Sequence, residues 1–149
     1  MKYGEQLAVR CVLMRGGTSK ALFFHEQDIP PEGPARDGFL KRVMGTPDPL
    51  QIDGLGGSRL VTSKAAIIRR SARADADIDY LFAQIDVERD LIGYTANCGN
   101  ISAAVGPFAI DEGLVEAVEL VTTVRIFNRN TNTLLIAQVP VREGKAQVL

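Results

Sequence analysis

From Ile101 to Ile110 the chain reads ISAAVGPFAI, with no charged residue and Ser102 as its one polar side chain. A helix made from that run is apolar on every face. Exposed helices carry a polar stripe, so this one belongs inside a domain, with the rest of the chain built around it. Asp111, Glu112 and Gly113 end it, with Gly113 as the expected cap. Pro107 removes one backbone hydrogen bond and should kink the axis.

What surrounds the helix reads mostly as short strands. Residues 8–14 and 21–24 are apolar runs separated by RGGTSK, a turn-prone segment whose contents are expected to be exposed. Residues 60–69 and 77–87 follow the same logic. In the second, Ile78, Tyr80 and Phe82 alternate with Asp77, Asp79 and Leu81. Residues 119–128 and 133–141 flank RNTN as a further pair, and EGK begins another hairpin. One amphipathic surface helix is expected in ARDGFLKRVM, with Phe39, Leu40, Val43 and Met44 inward and Arg36, Lys41 and Arg42 outward. Amphipathic crossover helices between strands are expected to be missing. The expected class is therefore α+β, a β-rich sheet curled around a central buried helix.

Composition narrows the function. The 149 residues, 46% hydrophobic and 23% charged, suit a single globular core. A formal net charge of -1 gives no footprint for nucleic acid, and no basic amphipathic stretch marks a membrane surface. The apolar run from Ala8 to Met14 is broken by Arg10 and too short for a signal peptide or membrane span, which points to the cytoplasm. Two cysteines make no disulfide framework, and the lone His25 has no companions at metal-ligand spacing. No metal or other cofactor is expected. The expected partner is a small molecule.

Two glycine-containing loops fail as nucleotide sites. RGGTSK lacks the order of a P-loop, and DGLGGSRL has Arg59 where a third glycine would be needed. Each remains a loop whose free amides and hydroxyls can hold a carboxylate, or a plain turn. Cys98, between Asn97 and Gly99 at the start of the buried helix, would lie near unpaired amides and the positive end of the helix dipole. A thiol in such a place can have a depressed pKa and exchange protons near neutrality. Cys11, in its strand, reads as a small buried hydrophobe. Lys64 has apolar neighbours on both sides along a strand, where burial disfavours the ammonium and leaves an amine able to act as a base. Lysines in strands more often face solvent.

The motifs MRGGTSK (14–20), MGTPDPLQIDGLGG (44–57), TSK (62–64), DIDYLFAQ (77–84), NCGN (97–100) and AVGPFAI (104–110) together resemble the PrpF family. That family includes 2-methylaconitate cis-trans isomerases, methylitaconate Δ-isomerases and 4-oxalomesaconate tautomerases, all of the diaminopimelate epimerase-like fold. The resemblance implies two similar domains with the active site in the cleft between them. Residues 1–149 would be the N-terminal domain, with the second absent from this chain and a homodimer possible. It also implies proton transfer by Lys64 and Cys98, without a cofactor. A pocket for a small polycarboxylate would be lined by Arg15, Gly17, Thr18, Ser19, Gly56, Gly57, Ser63, Asn97, Gly99 and Asn100. The compact PDPLQIDGLGG is closer to the oxalomesaconate branch. Two alternatives stay open: an amino-acid racemase or epimerase of the same fold, which would need a cysteine pair, and a non-catalytic metabolite-binding fragment.

Overall fold

The computed structural model describes residues 2–3 and 5–147. In chain order its elements are β1 (Lys2–Tyr3), β2 (Gln6–Leu7), β3 (Val12–Gly16), β4 (Ser19–His25), α1 (Pro34–Met44), β5 (Lys64–Arg70), β6 (Ile78–Ile85), β7 (Ile92–Gly93), α2 (Gly99–Asp111), β8 (Val121–Asn128), β9 (Thr133–Arg142) and β10 (Lys145–Ala146). Strands β1 and β2 pair with each other. The main sheet runs β10-β9-β8-β6-β5-β4-β3, with β7 added beside β6.

The buried helix forms where expected, and the sheet must curl to accommodate it. Helix α2 touches β3 at one edge of the sheet and β10 at the other. In a flat sheet those edges would stand roughly 29 Å apart at the usual strand spacing, about three times the diameter of a helix. Ile101, Ala104, Val105, Phe108 and Ile110 fill the concave side against Phe23, Tyr80, Phe82 and Val124. At Gly106 a Cβ would come within 2.8 Å of the Val139 side chain, so glycine there lets the sheet close on the helix. Gly113, at φ 72°, caps the C-terminal end in the left-handed region.

The convex side has its own core, in which Leu40 and Met44 of α1 pack against Leu22, Phe24, Ile67 and Ala83. Pro34 starts α1 at its first turn and Gly45 ends it in the left-handed conformation. Strands β4 and β5 are parallel, as are β6 and β8, so α1 and α2 are both crossover connections. The expectation that amphipathic crossovers are absent is thus corrected. The sheet is mixed because each helix returns the chain to the same end.

Other local expectations fail for identifiable reasons. Arg36, expected on the outer face of α1, is 3% exposed. It donates to the Pro30 carbonyl and pairs with Glu26, which also pairs with Arg69 and Arg129. Burying a guanidinium is tolerable only with such partners, and no helical periodicity reveals them. These guanidiniums lower the Glu26 pKa against the upward push of its own burial. Cys11 is exposed and precedes β3, so it is not a core residue. The strand begins later than residue 8 and runs through Arg15 and Gly16. Only Gly17 and Thr18 remain as the turn, and Ser19, expected in an exposed loop, is 1% exposed. His25 is buried, with its Nε2 2.8 Å from Glu112 Oε1 at the far end of α2.

Candidate active site

Three strand termini meet at one end of the concave face. Ser19 opens β4, Lys64 opens the parallel β5, and Gln84 sits opposite Lys64 in the antiparallel β6. Alternation along each strand aims the three side chains alike. Ser19 shares its side of the sheet with Ala21, Lys64 with Ala66, and Gln84 with Phe82, all packed in the α2 cluster. Lys64 is 7% exposed. Its Nζ donates to Gln84 Oε1 at 2.7 Å and lies 5.0 Å from the centroid of the Phe82 ring.

Helix α2 delivers its N-terminus to the same end. Cys98 is the N-cap, at φ -118° and ψ 102°, and it makes no capping hydrogen bond through its side chain. Its Sγ is 3.9 Å from Ser19 Oγ. The amides of Gly99, Asn100 and Ile101 therefore have no acceptor within the helix, and the positive end of the helix axis opens beside Cys98.

The β3–β4 turn docks directly on this helix end. A Cβ on Gly16 would overlap the Asn100 carbonyl oxygen, and one on Gly17 would overlap the Asn100 side chain. Gly17 also has φ 51°. Asn100 Nδ2 donates to Thr18 Oγ1 at 3.1 Å. Gly17, Thr18, Ser19, Cys98, Gly99, Asn100 and Lys64 thus gather at one end of the α2 side of the sheet.

Sequence reasoning missed the residues that hold this end in place. Asn128 is fully buried and donates through Nδ2 to Asn97 Oδ1 at 2.9 Å, reaching the segment that leads into Cys98. Asn130 donates to the carbonyls of Phe82 and Tyr94 and accepts from the Phe82 amide. RNTN, residues 129–132, forms the turn between β8 and β9. The partners of Asn128 and Asn130 lie far away in sequence and give no local signal. Tyr94 donates to Asp37 on α1; burial and that carboxylate both push its phenol pKa up. Burial likewise raises that of Tyr80, beneath α2.

Four of the expected pocket residues are placed otherwise. Arg15 alternates with Val12 and Met14, which pack toward α2, so its exposed side chain leaves from the opposite face. Gly56 and Gly57 lie in a loop whose amides are not free. Those of Gly54, Leu55, Gly56 and Gly57 donate to Gln51, Val43, Met44 and Thr62 carbonyls, and that of Ser58 to Gln51 Oε1. Ser63 is buried and accepts from Gln51 Nε2 at 2.8 Å. The loop folds around the Gln51 side chain, which a Cβ on Gly56 would overlap. Gln51→Ala should strand the Ser58 amide and the Ser63 hydroxyl. The expected cost is about 1–3 kcal/mol, read as a lower urea midpoint; an unchanged midpoint would show that the loop does not depend on this amide.

Among the described residues, no three His, Cys, Asp or Glu side chains come together to hold a metal. None of the described helices is long and apolar enough to cross a membrane.

The profile of a family described as PrpF protein matches residues 6–148. A 4-oxalomesaconate tautomerase from Pseudomonas putida is 54% identical over 95% of this chain and 39% of its own. A 3-methylitaconate isomerase from Eubacterium barkeri is 51% identical over 97% of this chain and 38% of its own. The chain thus spans a little under two fifths of these relatives. A crystal structure of methylitaconate-delta-isomerase superposes with TM-score 0.91 at 52% identity, covering 93% of this chain and 36% of that one. A probable proline racemase from Agrobacterium radiobacter shares the fold alone, with TM-score 0.58 at 16% identity.

Proposed function

The chain belongs to the PrpF family, and from that premise we propose that it forms part of an isomerase that shifts a proton along a small unsaturated di- or tricarboxylate. The observation that carries the reading is the convergence at one sheet end of an amine, a thiol and an uncapped helix N-terminus. Lys64 removes a proton from the carbon next to a conjugated carboxylate or keto acid, and the electron pair left behind spreads into a dienolate. First-turn amides of α2 and the hydroxyls of Thr18 and Ser19 hold the substrate's carboxylates and the developing charge. A proton returns to the other end of the allylic system from Cys98 or from Lys64 itself, and the double bond has moved. Proton and electron pair balance within the substrate, so the reaction calls for no redox cofactor.

The names of the relatives supply the substrates to try: 4-oxalomesaconate, 3-methylitaconate and 2-methylaconitate. Proton NMR of each acid in heavy water with the full-length protein should show position-specific deuterium uptake with one of them. Exchange with none would overturn the reading. A racemase of this fold would need a second thiol facing Cys98, and among residues 1–149 Cys11 is not placed to be it. It lies at the other end of β3 from the Gly16–Thr18 turn, about 16 Å away at the usual strand rise. Free thiols at both cysteines suit a cytoplasmic enzyme.

Cys98→Ser separates the sulfur from its position. Serine caps a helix well, so the variant should be as stable as the parent or about 0.5–1 kcal/mol more so. Exchange should nevertheless slow, less than with loss of the lysine. An unchanged rate would assign Cys98 to packing or binding.

A further inference from the structure

The amide of Gln84 is locked in one orientation. Its Nε2 donates to the carbonyl oxygens of Leu60 and Ser63, each at 3.0 Å. An amide turned the other way would set its oxygen against both carbonyls, so Oε1 is held toward Lys64 Nζ, at 2.7 Å. Leu60 and Ser63 bracket the short turn that delivers the chain to Lys64 at the start of β5. Gln84 therefore fastens the approach to β5 with one end of its amide and the lysine's tip with the other.

From this we infer that Gln84 is the positioning residue of the proton-transfer amine. The inference rests on Lys64 being the base, as proposed above. An amine has two N–H donors and one lone pair. With one N–H directed to Oε1 and the Phe82 ring 5.0 Å away, the tip of the side chain is held on the α2 side of the sheet, and the lone pair is kept off Gln84. A lysine side chain carries about 2 kcal/mol of rotamer entropy. Without the tether, the amine samples directions from which it does not reach the substrate's carbon. Since proton transfer requires a near-attack geometry, the loss falls on turnover and not on carboxylate binding.

The test compares Gln84→Met and Gln84→Glu with the parent in the full-length enzyme, with circular dichroism to check that each folds. Gln84→Met removes the acceptor; kcat for deuterium exchange should fall roughly 10- to 100-fold with KM within about twofold. Gln84→Glu keeps an oxygen on Nζ but adds a charge that retains the proton, moving the half-maximal pH of exchange upward; Gln84→Met should move it downward. A role in fold maintenance alone would lower activity without opposite displacements. A second readout needs no substrate: the pH dependence of Lys64 acetylation by acetic anhydride, followed by peptide mass spectrometry. It should move in the same two directions. If wild-type enzyme exchanges none of the acids, the isomerase reading fails, while the acetylation profiles still report the tether. Profiles that coincide in all three proteins overturn the inference, as does a rise in KM with kcat unchanged.

Discussion

Lys64→Ala in the full-length enzyme is expected to abolish deuterium exchange into the substrate while leaving the protein folded. General acid–base groups contribute about 10² to 10⁴ in rate. Loss of the amine proposed as the base should therefore bring exchange to the detection limit. The fold should survive, because beyond its backbone rung the Lys64 side chain makes one hydrogen bond, to Gln84 of β6, whose other two hydrogen bonds do not involve the lysine. Stability should fall by no more than about 1–2 kcal/mol, from one lost hydrogen bond and the stem's packing over Phe82. Unaltered exchange in a folded variant would remove the lysine from the reaction.

Gly16→Ala is expected to damage the enzyme through the helix end against which it packs. The added methyl overlaps the Asn100 carbonyl oxygen and lies 3.0 Å from the Ile101 Cα, both of them backbone atoms that no rotamer change can move. Either the turn or the N-terminus of α2 must shift. Overpacking of this kind costs about 1–3 kcal/mol. Displacement of α2 also separates Cys98 from Ser19, now 3.9 Å apart, so exchange should drop together with the urea midpoint. Gly99→Ala is the control. No atom lies within 4 Å of the position its Cβ would take, so its midpoint should stay within about 0.5 kcal/mol of the parent. Equal stabilities for the two variants would show that the turn and helix end do not press on each other.

The residues legible in advance share one property: their chemistry is conveyed by neighbours in the chain. ISAAVGPFAI announces a buried helix because no face of it is polar. The Ile78, Tyr80 and Phe82 alternation announces a strand lying on that helix, and NCGN places a thiol at the helix start. Residues misread or missed depend on partners distant in sequence. Arg36 is buried because Glu26 and the Pro30 carbonyl receive it. Gly56 and Gly57 looked like open amides, yet their N–H groups already serve Met44 and Thr62. Gln84, Asn128 and Asn130 carried no local mark.

By itself, then, the sequence determined the α+β class and the buried helix and drew attention to Cys98, since hydrophobic period and helix-end chemistry are short-range properties; Lys64 stood out through its family motif. Tertiary structure alone decided which end of the sheet those two share, which loop amides remain free, and which side chain aims the amine. Those outcomes depend on strand register and on hydrogen bonds closed between segments tens of residues apart. No local pattern encodes such pairings, because they exist only once the sheet has curled around α2.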